Sequence, residues 1–339
     1  MHHMVDIVVL GDVNVDVIAR FTKYPTEGSD ALADSIEFHG GGSAANTAMA
    51  LSRMGCVVSL ISRLGSDPWA SVALSSLHQA GVLLTGLQQD PAVRTGLIYI
   101  VVTPGGERTM LSYRGANAWT DAEQIREEDF VRARLLHLSG YALLTEPQRS
   151  AVLRAVELAE NHALTISLDP GLTPATLDDL RTLLARIDIL LPTLAEAQAI
   201  TGLTAADDCA LALLSRGVQT VALKLGKDGC LVSSKDGRFR IPAFPIEARD
   251  STGAGDSFDA GFLMAHLKGL DSHACAVLAN AMGALAAAQV GAGTQALTPQ
   301  AALFFLRERR YTQGHQEHSR AIEQVICFLE GVFAPPCFV

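Results

Sequence analysis

The sequence predicts a single α/β domain on a mostly parallel central sheet, with a smaller β-sheet appended to it. Three observations lead there. Short apolar runs alternate with amphipathic stretches between Val5 and Leu223. Strands alternating with helices are joined by right-handed crossovers, which cover both faces of a parallel sheet. From Ala254 onward the pattern turns helical, with Ala-rich stretches at 254–268 and 271–290. Two stretches instead alternate polar and apolar residues, Asp12–Ile18 and about Thr95–Tyr113. That period suits half-exposed strands lying outside the main body.

Taken in order, Val5-Asp-Ile-Val-Val-Leu10 is a short apolar run that stops at Gly11, as a buried parallel strand does. Further strand candidates are Val57–Ile61, Leu135–Leu138, Leu164–Leu168, Ile187–Leu191 and Val218–Leu223, with helical stretches such as Pro147–Asn161 and Leu194–Thr201 between them. Pro104-Gly-Gly106 is a hairpin turn inside the second alternating stretch. No internal repeat or low-complexity linker interrupts the chain, so one domain is expected over 1–310. The tail, 311–339, carries a helical candidate at Ser319–Gly331 and no assigned role.

Composition narrows the function classes. With 49% hydrophobic and 18% charged residues the chain is a well-buried globular protein. Its net charge is −10 and no Lys/Arg run exceeds Arg309-Arg310, so it lacks the basic stripe that nucleic-acid backbones require. No apolar stretch approaches the roughly 20 residues of a membrane helix, and the N-terminus shows no secretory pattern. Six cysteines at 56, 209, 230, 275, 327 and 337 contain no Cys-x-x-Cys, which suits a reducing, cytoplasmic compartment. None of the ten histidines falls into a metal-ligand spacing, and those of Met1-His-His-Met4 are given no role.

The segment Asp250-Ser-Thr-Gly-Ala-Gly-Asp256 runs straight into the helical Ser-Phe-Asp-Ala-Gly-Phe-Leu-Met-Ala. First-turn amides of a helix are unpaired and carry the positive end of its dipole. Glycines let that backbone approach an anion closely, so the segment is a candidate phosphate cradle. Asp256 then stands in the first turn. A carboxylate beside a phosphate makes chemical sense if it takes the proton of a hydroxyl attacking phosphorus, late in a loose transition state. The plainer alternative is an acidic first-turn residue that merely favours the dipole.

The nine residues Asp250-Ser-Thr-Gly-Ala-Gly-Asp-Ser-Phe258 resemble the C-terminal signature of the PfkB, or ribokinase-like, carbohydrate kinases. The resemblance implies an αβα sandwich with a β-sheet lid formed from about 12–38 and 94–116. It implies Asp256 as catalytic base and the amides of Gly253, Ala254 and Gly255 as the anion hole. A Walker sequence is absent, and a helix terminus would take over its role.

A second signature, Gly40-Gly-Gly-Ser-Ala-Ala-Asn46, leads into the helical Thr47–Met54. The resemblance maps sugar contacts to Gly41, Gly42 and Asn46. A dinucleotide fingerprint would follow the first strand and meet an acidic residue about 20 positions on, but position 62 is Ser. Asn14 and Asp16 follow the first strand, where open α/β sheets place ligands, and suit hydrogen bonds to vicinal hydroxyls; the family's Gly-x-x-x-x-Asp pattern matches Gly11–Asp16. Glu146 resembles a further sugar-contacting acid.

On the nucleotide side, Leu190-Leu-Pro-Thr-Leu-Ala-Glu-Ala197 resembles the family's Pro-Asn-x-x-Glu, with Thr193 where Asn is usual. This implicates Glu196 near magnesium, through water. Lys224, Gly226 and Gly229 border the nucleotide by the same resemblance, and Asn280 faces adenine. Lys224 can equally be a lysine snorkelling from a strand end. Asp250, Thr252 and the loop at Gly291 resemble a monovalent-cation (K⁺) site built on backbone carbonyls.

The function so implied is phosphorylation of a hydroxyl on a small sugar by ATP with Mg²⁺, ribose or a similar furanose being favoured. Arg108 and Arg114 keep a sugar acid such as 2-keto-3-deoxygluconate in view, since either could pair with a carboxylate. A nucleoside acceptor is a further alternative. A catalytically silent sugar-binding regulator is an alternative of another class. The lid also leaves edges that a second copy can cover, so a homodimer is expected.

Overall fold

The computed structural model describes residues 5–171, 177–289, 296–312 and 314–333. Gly291 lies outside them. The strands in chain order are β1 (Ile7–Leu10), β2 (Asn14–Arg20), β3 (Ser35–Gly41), β4 (Val58–Gly65), β5 (Leu83–Asp90), β6 (Gly96–Val102) and β7 (Arg108–Tyr113). They continue with β8 (Leu135–Ser139), β9 (Thr165–Asp169), β10 (Ile189–Leu190), β11 (Thr220–Lys224), β12 (Cys230–Ser234) and β13 (Gly237–Ile241). The helices are α1 (Ser43–Arg53), α2 (Pro68–Ala80), α3 (Gln148–Asn161), α4 (Leu177–Leu183) and α5 (Leu194–Thr201). After them come α6 (Ala206–Leu214), α7 (Ala254–Leu267), α8 (Ser272–Ala287), α9 (Pro299–Arg309) and α10 (Ser319–Phe333).

Nine strands form the central sheet in the order β13-β12-β11-β10-β9-β8-β1-β4-β5. All pairings from β11 to β5 are parallel; β12 and β13 add antiparallel at one edge. The run at β1 shows why an unbroken apolar strand is needed. Ile7 and Val9 enter one core layer while Val8 and Leu10 enter the other, and all four are fully buried. Helices α1, α2 and α7–α10 cover the first layer, and α3–α6 the second. The segment from Tyr311, whose sequence suggests no role, supplies α10. Its Ile322, Val325 and Leu329 are buried in the same layer as α8 and α9.

The second sheet is small and mixed, in the order β3-β2-β6-β7. Strands β2 and β6 run parallel, and each takes an antiparallel edge strand. Register fixes its two faces. Asp16 pairs with His39 and Ile98 on the side that carries Asp16, whereas Val17 pairs with Phe38 and Tyr99 on the other. On that apolar side Phe38 packs its ring 5.3 Å from Trp69 of α2.

Helix α1 begins at Ser43, earlier than the expected Thr47. Gly42 turns the chain at φ 103°, so Asn46 N–H already bonds the Gly42 carbonyl at 2.9 Å. The helical phase therefore includes Ser43 and Asn46, which share a face as an i, i+3 pair.

Candidate active site

The site lies at the C-terminal ends of β1, β8, β9 and β11, beneath the small sheet, where α1 and α7 pack together. Helix α7 starts from Gly253 at φ 69°, a conformation that side-chain-bearing residues rarely adopt, and has no side-chain cap. Ala254 N–H donates to the Ser251 carbonyl at 3.2 Å. Among the described residues the amides of Gly253 and Gly255 donate to no protein acceptor. Two of the three expected anion-hole amides thus remain for a ligand, at the positive end of a helix of 14 residues.

Asp256 stands in that first turn. Its Oδ1 accepts from Ser43 Oγ and its Oδ2 from Asn46 Nδ2, both at 2.9 Å. Burial pushes its carboxyl up to about 6; the neighbouring Asp169 acts in the same direction, against the Asn46 and Ser43 hydrogen bonds and the Lys224 charge. A carboxyl so raised is a better proton acceptor than an ordinary one. Asn46 is 5% exposed and its Oδ1 has no partner. A buried unpaired acceptor is costly unless a ligand hydroxyl fills it.

Asp16 of β2 is likewise pushed up to about 6, by burial first; His39 opposes the rise and Asp256 adds a smaller push in the same direction. Gly41 makes room for it: a Cβ there would stand 2.5 Å from Asp16 Cγ. Asn14, in register with Gly41, accepts from Asn117 Nδ2 at 2.7 Å and keeps its own amide donors for a ligand. Asn14, Asp16, Gly41, Gly42 and Asn46 are therefore brought together around Asp256. Glu146 is not brought into that network. Its carboxylate accepts from Ser150 N–H and Oγ and pairs with Arg149, serving the first turn of α3.

On the other side of Asp256, Thr193 caps α5 in a reciprocal box. Its Oγ1 accepts from Glu196 N–H at 3.3 Å and Glu196 Oε2 accepts from Thr193 N–H at 2.7 Å. Thr occupies the usual Asn position because capping needs only a short acceptor. Lys224 does not reach out as a lone cation. Its Nζ lies 3.0 and 3.1 Å from the two Asp259 oxygens and 3.3 Å from Asp169 Oδ2. Gly226 and Gly229 form the turn after β11. Asn280 donates its amide to the Ile241 and Pro242 carbonyls, at 3.1 and 3.2 Å, and so holds the strand exit beside Gly229. The side chains of Asp250 and Thr252, expected beside a monovalent cation, both accept from the guanidinium of Arg108 on β7. That contact ties the small sheet to the loop that leads into α7.

Several site residues escape the sequence reading. Asn117 is fully buried and donates to the Val13 carbonyl, Asn14 Oδ1 and the Arg114 carbonyl, while its Oδ1 accepts from Val13 N–H and Ser62 Oγ. Arg114 is committed to Asp12 at 2.9 Å and to Gln148. Ser43 lies inside a quoted signature, and Asp259 is a carboxylate within an otherwise apolar helical run. Both signals were available. Asn117 and Asp169 had none, because only tertiary contact reveals them.

A carboxyl held between the first turns of α1 and α7, over the C-terminal edge of a parallel sheet, agrees with the α/β phosphotransferase with an alcohol acceptor that the two signatures imply. The chain belongs to the pfkB family of carbohydrate kinases, whose family profile matches residues 4–299. It is 34% identical over 307 residues to an ATP-dependent ribose-1-phosphate kinase of Halopiger xanaduensis, covering 90% of this chain and 99% of that protein. It is 28% identical to a ribokinase of Haemophilus influenzae, covering 88% of this chain and 97% of that one. Its fold matches an E. coli chain termed ribokinase II, solved in complex with ATP and Mg²⁺, with TM-score 0.82, 24% identity, and coverage of 90% and 99% of the two chains.

Proposed function

We propose that this kinase transfers the γ-phosphoryl group of ATP to a primary hydroxyl of a neutral furanose, ribose or a close derivative of it. The observation that carries this reading is the Asp256 carboxyl, raised to about 6 and held by Ser43 and Asn46 beside Asp16. In the reaction the sugar O–H proton passes to Asp256 as the new O–P bond forms. The bond to the bridging oxygen breaks and its electron pair leaves with ADP. The Gly253 and Gly255 amides and the α7 dipole face the charge on the transferring group. Asn14, Asp16, Gly42 and Asn46 orient the sugar. Thr193, Gly226, Gly229 and Asn280 border the nucleotide.

Among the described residues no group of three His, Cys, Asp or Glu side chains is placed to hold a metal ion. Magnesium would therefore be held mainly by phosphate oxygens and water, with Glu196 acting through water, and would neutralise phosphate charge. A neutral acceptor is favoured over a sugar acid because Arg108 and Arg114 are committed to Asp250 and Asp12. Closure of the small sheet would exclude water and favour sugar over hydrolysis. Its apolar side exposes Ile36, Phe38, Leu111 and Tyr113, which supports a homodimer through that face, measurable by sedimentation. No helix among the described residues is long and apolar enough to cross a membrane, and the described cysteines are free thiols; both agree with a cytoplasmic enzyme.

The test is ADP release with ATP and Mg²⁺ over ribose, ribose-1-phosphate, fructose, 2-keto-3-deoxygluconate and nucleosides. The expected result is the highest kcat/KM with ribose or another neutral furanose, above that with ribose-1-phosphate. Turnover confined to the sugar acid would overturn the reading.

A further inference from the structure

Three charged side chains lie beneath the anion hole, and no step described above uses them. Asp169 closes β9, Lys224 closes β11 and Asp259 belongs to the second turn of α7, one turn beyond Asp256. Asp259 is 0% exposed. Lys224 Nζ bridges both carboxyls at 3.0–3.3 Å, and a Cβ on Gly255 would stand 3.7 Å from it. The ammonium therefore sits beside Gly255, in the turn that opens α7.

We propose that Asp169, Lys224 and Asp259 form a buried ionic seat whose members are positioning residues. They hold the first turn of α7 against the strand ends and set the charge felt by Asp256. This rests on the kinase reading above.

The seat joins two strands to the catalytic helix, and removing one member leaves another charge buried without its counterion. Burial raises the Asp259 carboxyl well above its ordinary value and Asp169 acts in the same direction, with the Lys224 charge opposing both. Burial opposes the Lys224 ammonium, but Asp169 and Asp259 hold it charged. The seat thus sets one ammonium between two carboxyl groups. The groups facing Asp256 are then Ser43 and Asn46 from α1, Asp16 from β2, Tyr141 after β8, Asp169 from β9 and Lys224 from β11. Within this set Asp169 and Lys224 push the base in opposite directions.

The experiment follows from those opposite signs. Sugar-dependent ADP release with ribose and ATP is measured against pH for wild type, Lys224→Met, Asp169→Asn, Asp259→Asn and Asp259→Leu, alongside ATP binding by calorimetry. Lys224→Met should move the acid limb of kcat/KM up by about one pH unit and lower kcat about 100-fold. ATP affinity should change by less than about threefold. Asp169→Asn should move the limb down. Asp259→Asn, which keeps an oxygen that can accept from Lys224, should retain at least about tenfold more activity than Asp259→Leu. A fall of about tenfold or more in ATP affinity in Lys224→Met, with an unmoved limb, would make Lys224 a direct phosphate ligand and sink the proposal. The two Asn variants are isosteric and keep the test open if Lys224→Met does not fold. If the wild type shows no ribose-dependent turnover, the substrate reading fails. The carboxyl resonance of Asp256, assigned by its loss in Asp256→Asn, then reads the same displacements, and an unmoved resonance in both Lys224→Met and Asp169→Asn refutes the seat.

Discussion

Replacing Asp256 by Asn should abolish catalysis and stabilise the fold. The shift from 3.8 to about 6 is roughly 2 pH units, or about 3 kcal/mol if the carboxyl were fully enclosed. Asp256 is partly exposed, so solvent screening leaves about 1–2 kcal/mol. A carboxyl whose folded value is raised binds more protons in the native state than in the unfolded one. The penalty is therefore absent below 3.8, grows between 3.8 and about 6, and is fully present above that. Asn removes the ionised form altogether. Its amide can still be matched, because Asn46 can turn its unpartnered Oδ1 to accept from it. Thermal melts should show the variant a few degrees more stable than wild type at about pH 8, with the gain vanishing towards about pH 4. Sugar-dependent ADP release should fall by about 10²–10⁴, with ATP still bound. Near-wild-type turnover would refute Asp256 as base. A variant less stable than wild type at both pH values would refute the buried-charge reasoning.

Two further substitutions separate positioning from folding. Gly41→Ala drives a methyl into the Asp16 carboxylate and should raise KM for the sugar by about tenfold or more, with KM for ATP unchanged; steady-state kinetics in both substrates checks it. Asn117→Ala breaks five hydrogen bonds in a fully buried position and should cost about 3 kcal/mol, read from urea unfolding, while releasing Asn14 and so weakening sugar binding.

Much of this protein is legible along the chain. Short unbroken apolar runs point to β1, β8, β9 and β11, and helical stretches to α3, α5 and α7, because each element must bury its own apolar residues whatever its neighbours are. The two glycine signatures located Asp256 and Asn46 for a related reason, since a tight anion-binding turn constrains consecutive residues. The start of α1 was misjudged by a turn, and that turn carries Ser43, one of the two side chains that hold the base.

The chemistry is readable along the chain: a carboxylate at a glycine-led helix start, opposite polar groups after the first strand. How each charge is used depends on packing. Glu146 turns to cap its own helix, Arg108 and Arg114 are taken by Asp250 and Asp12, and Lys224 is seated between Asp169 and Asp259. A side chain's type is a local property, but its ionic partner is set by which strand ends and helix turns pack together. Lys224 and Asp259 are 35 residues apart in the chain yet within 3.0 Å in space.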